Sequence, residues 1–241
     1  MFLAGGSFSL YYRAWLRGPS AILHNTEFRT YLGIALTAIL LIALNLIIEM
    51  DMDSFTAVRV AIFQTTSLST TGFVSADFET WPTFSKLLLL ILMMIGGCAG
   101  STASGIKVAR IILLVRNARA VILQKLNPHR VVDISLGGAH VDSAMLLRVG
   151  TFFFLYLAII FVTAFLLTMD GLLPFDAIAV AVTTIGNIGP AFGIVSATST
   201  YAPLSDFVKA VLCLSMLLGR LEIFTLLILL RPSFWRKTKR W

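Results

Sequence analysis

Two short stretches place hydroxyl, amide and glycine residues between strongly apolar segments: Ser69-Thr70-Thr71-Gly72-Phe73 and Gly186-Asn187-Ile188-Gly189-Pro190. Each follows an apolar piece, residues 54–68 and 174–184, that is too short to cross a bilayer. Eleven residues, the length of the second piece, cover about 16 Å at about 1.5 Å rise each, against a hydrocarbon core of about 30 Å. Such pieces read as re-entrant half-helices that bring the polar stretches to mid-membrane. Irregular backbone is tolerated at that depth only where it is buried in protein or lines a wet cavity, and carbonyls aimed inward can replace the water shell of a dehydrated K⁺. Gly72 and Gly189 have the dihedral freedom to aim those carbonyls, and the half-helix C-termini add partial negative charge toward the same point. Either stretch alone is better read as a glycine turn in a helical hairpin. Their recurrence at equivalent positions of a repeat favours an ion filter.

A third unusual stretch is Gly96-Gly97-Cys98-Ala99-Gly100-Ser101-Thr102-Ala103-Ser104-Gly105, followed by Ile106-Lys107. Small residues in membrane helices commonly permit close packing, but a run of small residues with many poor helix formers favours a broken helix. A phosphate-binding loop is disfavoured, because Ile106 separates Gly105 from Lys107 and no strand precedes the run. Arg220 lies inside the last apolar stretch, where a charge is costly and faces protein or a cavity. Glu222 is two residues away and does not share its helix face. A structural charge satisfied by a neighbouring carbonyl and a functional charge have equal weight here.

Other chemistry finds no support in the residues. Cys98 and Cys213 are isolated in apolar segments and read as packing residues. His24, His129 and His140 have no metal-ligand spacing, and no nucleophile and base pair suggests catalysis.

The elements that must hold these residues are membrane helices. The chain is 58% hydrophobic and only 13% charged, with mean hydropathy +0.90, whereas soluble domains carry about 25% charged residues. Four spans are expected, at 31–48, 84–115, 145–169 and 204–230. The formal charge of +7 comes from three basic zones, not from a nucleic-acid surface: Arg13, Arg17 and Arg29; Lys107, Arg110, Arg116, Arg119, Lys125 and Arg130; and Arg231, Arg236, Lys237, Lys239 and Arg240. The segments between them hold Glu49, Asp51, Asp53, Asp77, Glu79, Asp170, Asp176 and Asp206. Four spans and two re-entrant loops put every basic zone in the cytoplasm and every acidic segment on the opposite face. Asp53 and Ser54 are set to cap the first half-helix, and Pro174 suits the first position of the second. Lys86, Arg148 and Lys209 read as snorkelling anchors, and Trp81, Trp235 and Trp241 as an interfacial belt.

The expected fold is an all-α membrane protein of two span, pore-helix, filter, span repeats, half of a four-repeat K⁺ channel-like pore. Its parts are residues 1–30, a cytoplasmic segment with the end of a preceding repeat; 31–115, the first repeat; 116–144, a cytoplasmic linker containing Asn127-Pro128 and Gly137-Gly138; 145–231, the second repeat; and 232–241, a basic tail.

Thr65-Thr66-Ser67-Leu68-Ser69-Thr70-Thr71-Gly72-Phe73, Gly186-Asn187-Ile188-Gly189-Pro190-Ala191-Phe192-Gly193 and Leu218-Gly219-Arg220-Leu221-Glu222-Ile223-Phe224 resemble the third filter, fourth filter and last helix of the TrkH-type subunits in the Trk/Ktr/HKT superfamily. The resemblance covers essentially the whole chain, and Met1-Phe2-Leu3-Ala4-Gly5 resembles the end of that family's second repeat. It implies potassium uptake across the bacterial inner membrane, with Thr70, Thr71, Gly72, Asn187, Ile188 and Gly189 as K⁺ ligands. It further implies an intramembrane gate formed by Gly96, Gly97, Gly100, Ser101 and Gly105 and held by Arg220. The implied partners are the lipid bilayer, a TrkA-type cytosolic nucleotide-binding ring and a second subunit in a homodimer, with no nucleic acid and no enzyme activity. Two of the family's four repeats are absent, so an N-terminal half or a second copy must close the pore; a truncated record or split gene is preferred to a natural two-copy pore. The alternative is a non-conducting half-length assembly or regulatory subunit of a cation transporter.

Overall fold

The computed structural model describes residues 1–18, 20–127, 133–137, 139–221 and 223–229. Arg130, His129, Pro128, Gly138, Glu222 and the basic tail with Trp235 and Trp241 lie outside the described residues. The helices run α1 Phe2–Gly5, α2 Phe8–Arg17, α3 Ser20–Leu23, α4 Thr26–Met50, α5 Ser54–Leu68, α6 Thr83–Met94, α7 Val108–Leu126, α8 Ser143–Leu167, α9 Pro174–Ile185, α10 Asp206–Arg220 and α11 Ile223–Leu229. A two-residue antiparallel pairing of Ser135–Leu136 with Ala139–His140 is the extent of sheet among the described residues.

Local chemistry sets the helix starts. The Asn25 side chain accepts from Phe28 N at 2.9 Å ahead of α4, and Asp53 accepts from Thr56 N at 3.2 Å ahead of α5. Pro174 opens α9, where its missing N–H costs nothing. Ser205 caps α10 through Val208 N at 3.3 Å.

Two of the four expected spans are continuous. α4 and the stretch Ser143–Asp170 are long and apolar enough to cross a membrane. The expected 84–115 span is two helices, α6 and α7, separated by the glycine run. Residues in that run close against other backbone, so an unbroken helix could not take the same path. α7 then continues to Leu126, so the first part of the expected 116–144 linker is helical. The expected 204–230 span also divides, directly after Arg220. That residue is therefore the last of α10 and does not lie deep within a continuous span.

The order long helix, short helix, polar turn, helix occurs twice, and α6 packs on α9 to join the copies. α9 sits between α8, α10 and α6, with Ala177, Ala179, Val180, Ala181, Val182, Thr183, Thr184 and Ile185 all buried. Ala and Val at these positions let the three neighbours approach closely. α5 packs on α4 and α6 and leaves Phe55, Val58 and Ile62 exposed. Trp81, expected in an interfacial belt, is buried in the core that joins the copies. Cys98 is buried, whereas Cys213, expected to pack inside, faces outward.

Candidate functional site: two glycine turns above a glycine loop

Each short helix ends by turning its chain back with hydroxyl support. After α5, Thr70, Thr71 and Gly72 donate backbone N–H groups to the Ser67 carbonyl at 3.0, 2.7 and 2.9 Å. Ser67 Oγ donates to the Phe73 carbonyl. After α9, Asn187 N donates to Thr184 O at 3.0 Å and Ile188 N to Thr183 O at 2.9 Å. Thr183 Oγ1 accepts from Gly189 N at 3.0 Å and donates to the Pro190 carbonyl at 2.8 Å. In both copies, a hydroxyl from the last turns of the helix holds the carbonyl immediately after the glycine. Sequence reading passed over Ser67 and Thr183 as braces, although Ser67 lies within a quoted motif and Thr183 within the second half-helix piece.

Gly72 has φ 74° and Gly189 φ 112°, both in the region that disfavours side chains. Asn187 also adopts a positive φ of 52°, a conformation that Asn tolerates better than most residues. The two turns touch: a Cβ on Gly72 would run into the Ile188 carbonyl. A Cβ on Gly189 would meet nothing within 4 Å. Hydrogen bonding divides the six expected ligands further. The carbonyls of Thr70, Thr71, Gly72, Asn187 and Ile188 receive no donor among the described residues, whereas the Gly189 carbonyl accepts from Tyr201 OH.

The run Gly96 to Gly105 forms a loop with a closed neck. Gly96 N donates to Ile106 O at 3.0 Å and Ile106 N to Met94 O at 3.1 Å, an isolated parallel bridge. Side chains at Gly96 and Gly97 would collide with the carbonyls of Ser104 and Gly5, so these glycines allow backbone to lie on backbone. Cys98 N donates to Gly5 O at 2.7 Å, and Thr102 Oγ1 to Ala4 O at 3.3 Å. Lys107 Nζ reaches Ser101 Oγ at 3.2 Å and the Ala103 carbonyl. Arg220 Nη1 donates to the Thr102 carbonyl at 2.8 Å. Asn187 Nδ2 lies 3.4 Å from Ser104 Oγ and 3.1 Å from the Met216 carbonyl, linking the second turn to both the loop and α10. Glu27 Oε1 accepts from the amides of Ala99 and Ala109; sequence reading did not single out this residue. Beside the loop is a cavity of about 400 Å³ whose lining includes Ser101, Lys107, Arg110, Tyr156 and Arg220.

At the other end of the turns, Lys86 is tied rather than freely snorkelling: its Nζ lies 2.7 Å from Glu79 Oε1. Glu79 Oε2 accepts from Gly193 N at 3.0 Å. Asp176, in the first turn of α9 and outside the spanning helices, has its carboxyl pKa raised by partial burial and then by neighbouring Glu79, with Lys86 opposing. Among the described residues, no group of three or more His, Cys, Asp and Glu is placed to hold a metal ion.

Paired helical turns between long apolar helices, over a loop that interrupts a third helix, are the arrangement of a helical membrane protein. Residues 9–237 match the family model TrkH, cation transport protein, and the chain belongs to that family. It is 36% identical over 237 residues to the Trk system potassium uptake protein TrkH of Salmonella typhimurium, covering 98% of this chain and 46% of that protein. To TrkH of Vibrio parahaemolyticus it is 38% identical over 245 residues, covering 98% of this chain and 49% of that one. The crystal structure of the potassium transporter TrkH from Vibrio parahaemolyticus superposes with TM-score 0.88 at 36% identity, over 98% of this chain and 51% of that chain. The chain thus spans about half the length of the relatives it matches.

Proposed function

We propose that this chain supplies two of the four carbonyl loops of a potassium uptake pore, with a gate formed by the Gly96 to Gly105 loop. The observation that carries this reading is the contrast between the two glycines. Gly72 lies against the Ile188 carbonyl of the neighbouring turn, while the equivalent edge at Gly189 is open. A ring of like loops gives every glycine a neighbouring carbonyl, so two loops leave one open edge. Five expected ligand carbonyls without internal donors support the same reading, since a carbonyl already bound to an N–H or O–H is a weaker ligand for a dehydrated cation. The substrate assignment draws on relatives that are potassium uptake proteins.

The edge at Gly189 is covered by loops from an N-terminal half or by a second copy. Arg220 and Lys107 hold the glycine loop beneath the turns, and Arg220 places a positive charge on the cation path. The chain sits in the bacterial inner membrane with its basic segments cytoplasmic, where a TrkA-type ring docks on a homodimer. A non-conducting assembly subunit also fits the open edge.

Potassium uptake in a transport-deficient cell separates the two readings. Uptake is expected when the chain is expressed with an N-terminal half of a relative and little when it is expressed alone. Flux absent under both conditions, from protein that reaches the membrane and associates with that half, would favour the assembly subunit. Topology has its own check: a cysteine at Asp77 should react with an impermeant external reagent, and one at Arg119 should not.

A further inference from the structure

The glycine loop is tied to several parts of the molecule, and one tie has a geometry the others lack. Glu27, in the first turn of α4, presents a single oxygen, Oε1, to two backbone amides from elsewhere in the chain. One is Ala99 N, inside the loop, and the other is Ala109 N, in the first turn of α7, at 3.2 Å. The first amides of a helix have no intrahelical acceptor, and a carboxylate is favoured there by the helix dipole as well. The residue before α7 is Lys107, whose side chain makes no cap, so Glu27 supplies from another helix what the local sequence lacks. Hydrogen bonds to a charged acceptor are also the stronger kind.

We infer that Glu27 is a positioning residue that latches the glycine loop to the start of α7. Its carboxylate stays on α7 through the Ala109 amide and holds the loop only through Ala99. The loop can therefore part from α4 by breaking one hydrogen bond without uncapping α7. Arg220 grips the far side of the loop at Thr102, and the Cys98 to Gly5 bond holds it to the end of α1. The loop thus has a fixed side at Glu27 and a second hold at Arg220. This inference deepens the gate reading, and its test is independent of conduction.

Cys98, adjacent to Ala99, is 1% exposed and serves as a reporter once exposed Cys213 is replaced by serine. The full chain with Cys213→Ser is purified in lipid nanodiscs, and the rate of Cys98 reaction with a small maleimide is measured. Glu27→Ala should accelerate labelling about tenfold, the loss of one charge-assisted hydrogen bond to the loop. Glu27→Gln keeps an acceptor oxygen but removes the same charge from beside Cys98, so labelling faster in Glu27→Ala than in Glu27→Gln reads the latch itself, and equal rates in the two would overturn it. Asn25→Ala removes the cap of the same helix without touching the loop; it controls for general loosening of α4 and should leave labelling unchanged. Unchanged labelling in Glu27→Ala, or equal acceleration in Asn25→Ala, would overturn the latch. Faster labelling in Glu27→Ala with no change in potassium uptake would leave the latch standing and remove the gate.

Discussion

The two half-helices start on different signals, an Asp53 cap and Pro174, and end in different surroundings. α5 is capped by Asp53 and shows Phe55, Val58 and Ile62 on an uncovered face, while α9 is enclosed by α6, α8 and α10. At their C-terminal turns the contrast reverses. Gly72, on the half-covered helix, is pressed against the Ile188 carbonyl, whereas Gly189, on the enclosed helix, faces open space. A glycine can thus be required for two separable reasons: a dihedral that side chains resist, and a neighbour that leaves no room for a Cβ. Gly189 has the first reason within this chain. Gly72 has both.

Replacing each glycine by alanine measures that difference. Gly72→Ala should destabilise the protein by about 3 kcal/mol or more, because dihedral strain adds to a collision with backbone that cannot turn aside. Gly189→Ala in the same chain should cost only about 1–2 kcal/mol, the strain alone. Thermal or denaturant unfolding in detergent reads both. Equal losses would mean that the neighbouring turn contributes nothing at Gly72.

The hydroxyl braces extend the comparison at a smaller scale. Thr183 both accepts from Gly189 N and donates to Pro190 O, whereas Ser67 makes one such bond, to Phe73 O. Thr183→Val should therefore lower stability by about 2 kcal/mol and Ser67→Ala by about 1 kcal/mol. A larger loss at Ser67 would contradict the ordering.

Much of this arrangement was legible from short-range signals. The bounds of α5 and α9 follow from the Asp53 cap, the Pro174 start and the apolar stretches between them and the glycine turns. The interruption at Gly96 to Gly105 follows from a run of residues too small and too poor in helix propensity to sustain a span. Contacts between distant residues were not legible. Arg220 reads as a mid-span charge because Gly219 and its neighbours are compatible with a helix. The division after Arg220 accompanies the packing of Gly219 against the Ile185 carbonyl, where a side chain would not fit. Glu27 reads as an ordinary first-turn carboxylate, since nothing near it in sequence points to Ala99 or Ala109. Trp81 reads as interfacial by residue type, yet the packing of α6 on α9 encloses it. Sequence marks a departure from a helix where the residues themselves are poor helix formers, as at Gly96 to Gly105, and the contacts across the two copies determine what each departure touches.

The smallest expected effect concerns the hold on the glycine loop. Arg220→Ala removes the bond to Thr102, but the bonds from Glu27, Lys107 and Gly5 remain. Potassium uptake in the presence of the N-terminal half should rise only a few-fold, with no change in preference between K⁺ and Na⁺. Lower uptake by well-folded protein would contradict the gate assignment.

The carbonyl-loop reading is tested most directly by ion preference. The chain, co-expressed with an N-terminal half and reconstituted in liposomes, is compared with Gly72→Ser and Gly189→Ser for K⁺ and Na⁺ flux. A side chain at either glycine restricts the dihedrals that orient the turn carbonyls, so the expected result is Na⁺ entry or reduced K⁺ flux in both variants. An unchanged preference for K⁺ over Na⁺, at unchanged flux in both, would contradict the assignment of these turns as the filter.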